Sequence, residues 1–131
     1  MSRENVECVR SIYEAVNRRD WDAAFRDADP EFAFTNQLGP DAGTRRGREA
    51  VTAFLADQIG AFDTLILEPE EFFDGEDQIV AFVSVRSRPR GGGVDLVVRN
   101  GHLWTIHDGV VLSMTSFPKP KSALEAAGLR E

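Results

Sequence analysis

The stretch His102-Leu103-Trp104-Thr105-Ile106-His107-Asp108-Gly109-Val110-Val111-Leu112-Ser113-Met114 decides the fold. Asp108-Gly109 is a dipeptide suited to a two-residue hairpin turn, whose central residues both need positive φ. Its neighbours on both sides are β-branched, aromatic or otherwise apolar, as strands prefer. Residues 95–107 and 110–117 therefore read as a hairpin, with Gly101 expected to interrupt the first strand as a bulge. Alternation places Asn100, His102, Trp104 and Ile106 on one face, provided the bulge keeps the period. Met114 and Ser116 share a parity on the returning strand that points them inward.

Working outward, residues 78–88 and 65–73 add two further strands. Pro69 predicts a bent or edge strand for the latter. Asp74-Gly75 reads as the turn between the two, and Pro89 with Gly91-Gly92-Gly93 reverses the chain after the second. Nearer the N-terminus the period changes. Val6, Val9, Ile12, Tyr13 and Val16 recur at helical spacing on one face. Asp20 is placed to cap a second helix with the apolar stripe Trp21, Ala24, Phe25 and Ala28, ended by Asp29-Pro30. Residues 31–36 form a short strand with Phe32, Phe34 and Asn36 on one face. Residues 37–47 read as a loop, and a third helix follows from about Arg48 with Val51, Phe54, Leu55, Ile59 and Phe62 in one arc. Ser122 with Glu125 fits a capping box, and Gly128 ends a terminal helix. The order is α-α-β-α-β-β-β-β-α. A bent antiparallel sheet buries one face under three helices, which makes an α+β domain over residues 1–131.

Composition sets the limits of function. The chain has 131 residues, 15 Lys plus Arg against 22 Asp plus Glu, and a net charge of −7. A nucleic-acid binder needs a basic face, and so does a protein docked on an anionic membrane, so neither partner is expected. Cys8 is the single cysteine, so no internal disulfide forms. The charged N-terminus does not read as a signal peptide, and no apolar run approaches the roughly 20 residues of a membrane span. A cytoplasmic location is the expectation. The aromatic residues are 9 Phe, 2 Trp and 1 Tyr, a large apolar payload with few polar handles.

The element order resembles the SnoaL-like and ketosteroid-isomerase-like group of the nuclear-transport-factor-like superfamily. The similar stretches are Asn17-Arg18-Arg19-Asp20-Trp21-Asp22-Ala23-Ala24, Arg46-Gly47-Arg48-Glu49-Ala50-Val51, the residues 102–109 quoted above, and Ser122-Ala123-Leu124-Glu125-Ala126-Ala127-Gly128-Leu129. The resemblance implies a cone: a curled sheet closed by helices around an apolar pocket. It implies a small hydrophobic ligand, with isomerase, cyclase or hydratase chemistry in some members and binding alone in others. It also implies a homodimer packed through the sheet face. No cofactor is expected.

In the ketosteroid isomerases three polar positions face the pocket, and the neighbouring motifs carry them onto Tyr13, Asn36 and His102. Asn36 departs from the pattern. It stands where that group has an Asp base, and an amide accepts no proton at neutral pH. His102 is the best titratable candidate for general acid–base work, because an ordinary imidazole titrates near ~6.5. It reads equally well as a hydrogen-bonded core histidine. Tyr13 needs a partner for its hydroxyl, and a Tyr–His or Tyr–Asn bond inside the cone would supply one. Phe32, Phe34, Trp104, Met114 and Ser116 are the candidate ligand contacts, with core packing or, for Trp104, a dimer interface as the alternatives.

Other features read as structural. His107 beside the turn is a solvated residue, and with His102 it makes no metal site. Asp27, Asp29 and Glu31 face solvent. Cys8 is an inert thiol rather than a nucleophile. Arg86, Arg88, Arg90 and Arg99 form a solvated hairpin end, or one of them guards the pocket mouth.

Overall fold

The computed structural model describes residues 2–37 and 42–131. The elements are α1 (Ser2–Asn17), α2 (Trp21–Ala24), β1 (Ala28–Asn36), β2 (Gly43–Arg46), α3 (Arg48–Gly60), β3 (Phe62–Gly75), β4 (Gln78–Pro89), β5 (Leu96–His107), β6 (Val110–Phe117) and α4 (Pro120–Ala127). One curled, unclosed sheet runs β2-β1-β6-β5-β4-β3. The α+β architecture is thus as the sequence implies, with three helices of the N-terminal half on its inner face.

Several local expectations change. The second helix is one turn long, capped by the Asp20 carboxylate, which accepts the Ala23 N–H at 3.1 Å. The chain then enters β1 early, and Pro30 lies within that strand rather than ending a helix. The β1–β6 register is irregular between Ala28 and Ala33, and there a missing N–H is tolerated. β1 also lies parallel to β6, so the sheet is not wholly antiparallel. Residues 43–46 of the expected loop form β2, paired to β1 with Thr35 opposite Thr44. Residues 38–41 of that loop lie outside the described residues.

The β3–β4 turn falls at residues 76–77, where Asp77 has φ 56°, so Asp74 and Gly75 belong to the strand. β3 is an edge strand, and its register shifts between Pro69 and Glu71, as the proline requires. The Asp108-Gly109 turn has φ 50° and 79°, the positive pair that hairpins favour.

Gly101 is not a bulge. Register runs unbroken through it against β4, and it forms the first pair of the β6 ladder, opposite Phe117; the shift on the β6 side falls between Thr105 and Ile106. Its missing side chain serves α4 instead. A Cβ at Gly101 would lie 2.7 Å from the Pro120 carbonyl oxygen and 2.8 Å from the Ala123 Cβ. α4 therefore seats on the outer face of the sheet, where Val80, Phe82, Ala123 and Leu124 are buried together. Its N-cap is Lys119 with Pro120 in the first turn and no side-chain cap, so the Ser122–Glu125 box does not form. Gly128 ends it in the left-handed conformation, as expected.

The Asn17-Arg18-Arg19-Asp20 turn has a structural task. The Asn17 amide donates to the Leu67 carbonyl and accepts from the Leu67 N–H, both at 2.9 Å. Arg19 donates to the Leu65 carbonyl at 3.0 Å. These side chains take up hydrogen-bonding groups on the edge strand β3, which would otherwise invite another chain.

Candidate functional site

The inner face of the sheet, α1 and α3 enclose a cavity of about 230 Å³. Tyr13, Phe32, Phe34, Asn36, His102, Trp104, Met114 and Ser116, the residues singled out from sequence, all line it. Register explains how. His102 stands opposite Ser116 on β6, and Ser116 stands opposite Asn36 on β1, so three polar residues form one row across neighbouring strands. The next inward-facing row is Trp104, Met114 and Phe34, which is apolar. Because no bulge intervenes at Gly101, the period-two reading of β5 holds and Trp104 faces inward, 4% exposed, not toward a dimer interface.

Tyr13 comes from α1. Its hydroxyl oxygen accepts the Trp104 indole N–H at 3.0 Å and lies 2.7 Å from His102 Nδ1. The Tyr13 and His102 rings stack with centroids 5.7 Å apart, and Trp104 meets Tyr13 edge-on at the same separation. Burial pushes the Tyr13 pKa well above its usual value, so it stays a phenol. Burial also pushes the His102 pKa down to about 4, because no anion compensates the desolvated imidazolium.

This depression predicts a stability profile. The unfolded chain binds a proton on His102 below about 6.5, while the folded chain resists it until about 4. His102 therefore contributes stability that is complete above pH 6.5 and is lost as pH falls toward 4, by about 3 kcal/mol. His107 works in the opposite direction, since Asp77 and Asp108 raise its pKa. Urea unfolding of His107→Gln, with and without a further His102→Phe substitution, isolates the effect: the loss between pH 6.5 and 4 is smaller by about 3 kcal/mol once His102 is gone.

The rest of the lining lies outside the candidate ligand contacts of the sequence. α3 contributes Val51, Phe54, Leu55, Gln58 and Ile59, and its apolar arc was the available signal. Leu65, Leu67 and Val85 come from the edge hairpin, and Asn100 from β5. Phe54 packs on Phe34, with the Arg45 guanidinium 3.8 Å above its ring. Among the described residues, no Asp, Glu, Lys or Arg lines the cavity.

The features read as structural fall outside it. His107 pairs with Asp77 at 3.2 Å and is 61% exposed. Arg88 pairs with Asp95, Arg99 with Glu70 and Arg86 with Glu68, while Arg90 donates to the Gly60 carbonyl, so none of these arginines lines the cavity. Burial, followed by the Asp27 charge, raises the Cys8 pKa, as befits an inert thiol. Among the described residues no cluster of His, Cys, Asp or Glu is placed to hold a metal ion, and no helix is long and apolar enough to cross a membrane.

Residues 9–114 match the family model described as a SnoaL-like domain. The chain belongs to that family. No curated relative matches this SnoaL-like domain. Solved structures do match its fold. TerC, co-crystallised with polyporic acid, is 22% identical with a TM-score of 0.80, over 92% of this chain and 95% of that one. A putative SnoaL-like polyketide cyclase from Jannaschia sp. CCS1 is 21% identical with a TM-score of 0.77, over 88% and 85%. Rv0760c from Mycobacterium tuberculosis, in complex with estradiol-17β-hemisuccinate, is 22% identical with a TM-score of 0.73, over 85% and 90%. At these identities the likeness is one of fold.

Proposed function

We propose that this SnoaL-like domain binds a small, mostly apolar, uncharged organic molecule in the cavity between sheet and helices. The observation that carries the reading is the lining: apolar and aromatic side chains, one short polar row, and no charged residue among those described. Such sites use shape and apolar area for affinity and a few polar groups for orientation. The volume of about 230 Å³ exceeds the ~150 Å³ of an apolar cavity that takes benzene, so one or two fused rings fit. TerC, co-crystallised with polyporic acid, and Rv0760c, in complex with estradiol-17β-hemisuccinate, support small organic molecules as ligands of this fold.

Chemistry on the bound molecule is the second reading: isomerisation, cyclisation or hydration by proton transfer, with His102 as acid or base, Asn36 orienting the substrate directly and Tyr13 orienting it through its bond to His102. The putative polyketide cyclase among the similar structures favours it. The lining favours binding alone, since no described carboxylate stands there as a base and burial makes His102 a weak one. A second copy is the proposed protein partner, on the outer sheet face where Val97 is 60% exposed.

Titration with tetralin, an uncharged bicyclic hydrocarbon, tests the binding reading. Amide and indole resonances of Val51, Phe54, Met114 and Trp104 are expected to shift saturably. Shifts that never saturate, or that fall on the outer face, would overturn it.

A further inference from the structure

We infer that Tyr13 is a positioning residue that holds His102 as a neutral Nε2–H donor, so that the cavity selects ligands carrying an uncharged hydrogen-bond acceptor, a carbonyl above all. The inference rests on the binding reading and names the ligand class.

The direction of the hydrogen bonds fixes the tautomer. An indole N–H can only donate, so the Tyr13 oxygen accepts from Trp104. The hydroxyl proton must then find its own acceptor. Tyr13 is 2% exposed, and among the described residues the only other partner of its hydroxyl is His102 Nδ1, at 2.7 Å. Were Nδ1 protonated, the hydroxyl would accept twice and its proton would be buried without a partner, which costs its full desolvation. Nδ1 is therefore the acceptor, and the ring proton resides on Nε2.

Nε2 borders the cavity. His102 lines it, and Tyr13 occupies Nδ1. Among the described residues no sealed side-chain nitrogen or oxygen lacks a partner, so Nε2, which makes no protein hydrogen bond, is not sealed. A ligand oxygen that accepts from Nε2 lies along the polar row with Ser116 and Asn36, with its rings against Trp104 and Phe54. A carboxylate or an ammonium brought to the polar row would be desolvated with no described lining residue of opposite charge, which burial penalises heavily; the Arg45 guanidinium lies over the Phe54 ring and does not itself line the cavity. The Tyr13 hydroxyl, spent inside the protein, does not touch the ligand.

Two measurements test this. In the ¹⁵N spectrum of histidine-labelled protein at pH 7, with His107→Gln for assignment, His102 is expected to show a protonated Nε2 and an accepting Nδ1. In Tyr13→Phe the Nδ1 resonance moves to that of an unbonded nitrogen. A proton on Nδ1 in the native protein, or no change in Tyr13→Phe, would overturn the lock. For selectivity, affinities for 1-tetralone, tetralin and tetrahydro-1-naphthoate are compared. His102→Phe is expected to lower the tetralone-to-tetralin affinity ratio by roughly 10-fold, and the naphthoate to bind at least 10-fold more weakly than tetralone to the native protein. Tyr13→Phe/His102→Phe, which strands no hydroxyl, should give the same drop if the single variant folds poorly. An unchanged ratio overturns the donor role while leaving the binding reading intact. Failure of both tetralin and tetralone to bind overturns the binding reading and the selectivity together, and the nitrogen spectrum still decides the lock.

Discussion

Trp104→Ala is expected to lower stability by about 3–5 kcal/mol, the range for emptying a buried aromatic site. The indole is 4% exposed, meets Tyr13 edge-on at 5.7 Å and lies 6.5 Å from Phe32. Its N–H also satisfies the Tyr13 oxygen, so truncation removes packing and a hydrogen bond together. Urea unfolding followed by circular dichroism measures the loss. Trp104→Phe, which keeps most of the ring but not the donor, should cost about 1–2 kcal/mol. A Trp104→Ala loss below about 1 kcal/mol would show that the cavity wall is not core.

Gly101→Ala is expected to cost about 2–3 kcal/mol, as overpacking against a rigid neighbour does, and to lower Tm by roughly 6–15 °C. The obstacle is backbone: the added methyl would meet the Pro120 carbonyl oxygen at 2.7 Å and the Pro120 Cα at 2.8 Å. No rotamer relieves that contact, so α4 must lift from the sheet. Amide exchange in α4 should accelerate along with the loss of stability. Gly60→Ala is the control. Nothing lies within 4 Å of its would-be Cβ, so the same change there should be neutral or slightly stabilising. Equal effects at the two glycines would contradict the seating of α4.

Gly109 and Gly101 show where sequence reading reaches its limit. Asp108-Gly109 announces its turn locally, because the φ values it needs are a property of those two residues. Period two then carries His102, Trp104, Met114 and Ser116 to one face without further information. Gly101 looks the same as any strand glycine, and its reason lies in Pro120 and Ala123, which only tertiary packing brings near. The parallel pairing of β1 with β6 is invisible for the same reason, since the two strands are far apart in sequence. β2 is not legible locally because Gly43–Arg46 is short, polar and edge-bound, so it carries no hydrophobic alternation. Pro30 reads locally as a helix stop, because a proline in a strand is tolerated only where the ladder is already irregular, and register is not written locally.

The candidate site was legible in proportion to its chemistry. Tyr13 demanded a hydroxyl partner, and a Tyr–His bond was one of the two solutions expected. That His102 would be neutral and depressed to about 4 needed the burial, which no motif states. The α3 side of the cavity was legible as an apolar arc, although nothing in the arc says that it encloses space rather than filling it.

Calorimetric titration of 1-tetralone into the native protein and into Leu55→Trp tests the central claim most directly. Leu55 is half-buried in the cavity lining, so an indole there occupies the space a ligand would use while leaving the sheet core untouched. The account predicts one saturable site in the native protein, weakened at least 10-fold in the variant with Tm nearly unchanged. Equal affinity in both proteins, or no saturable heat in the native one, would contradict it.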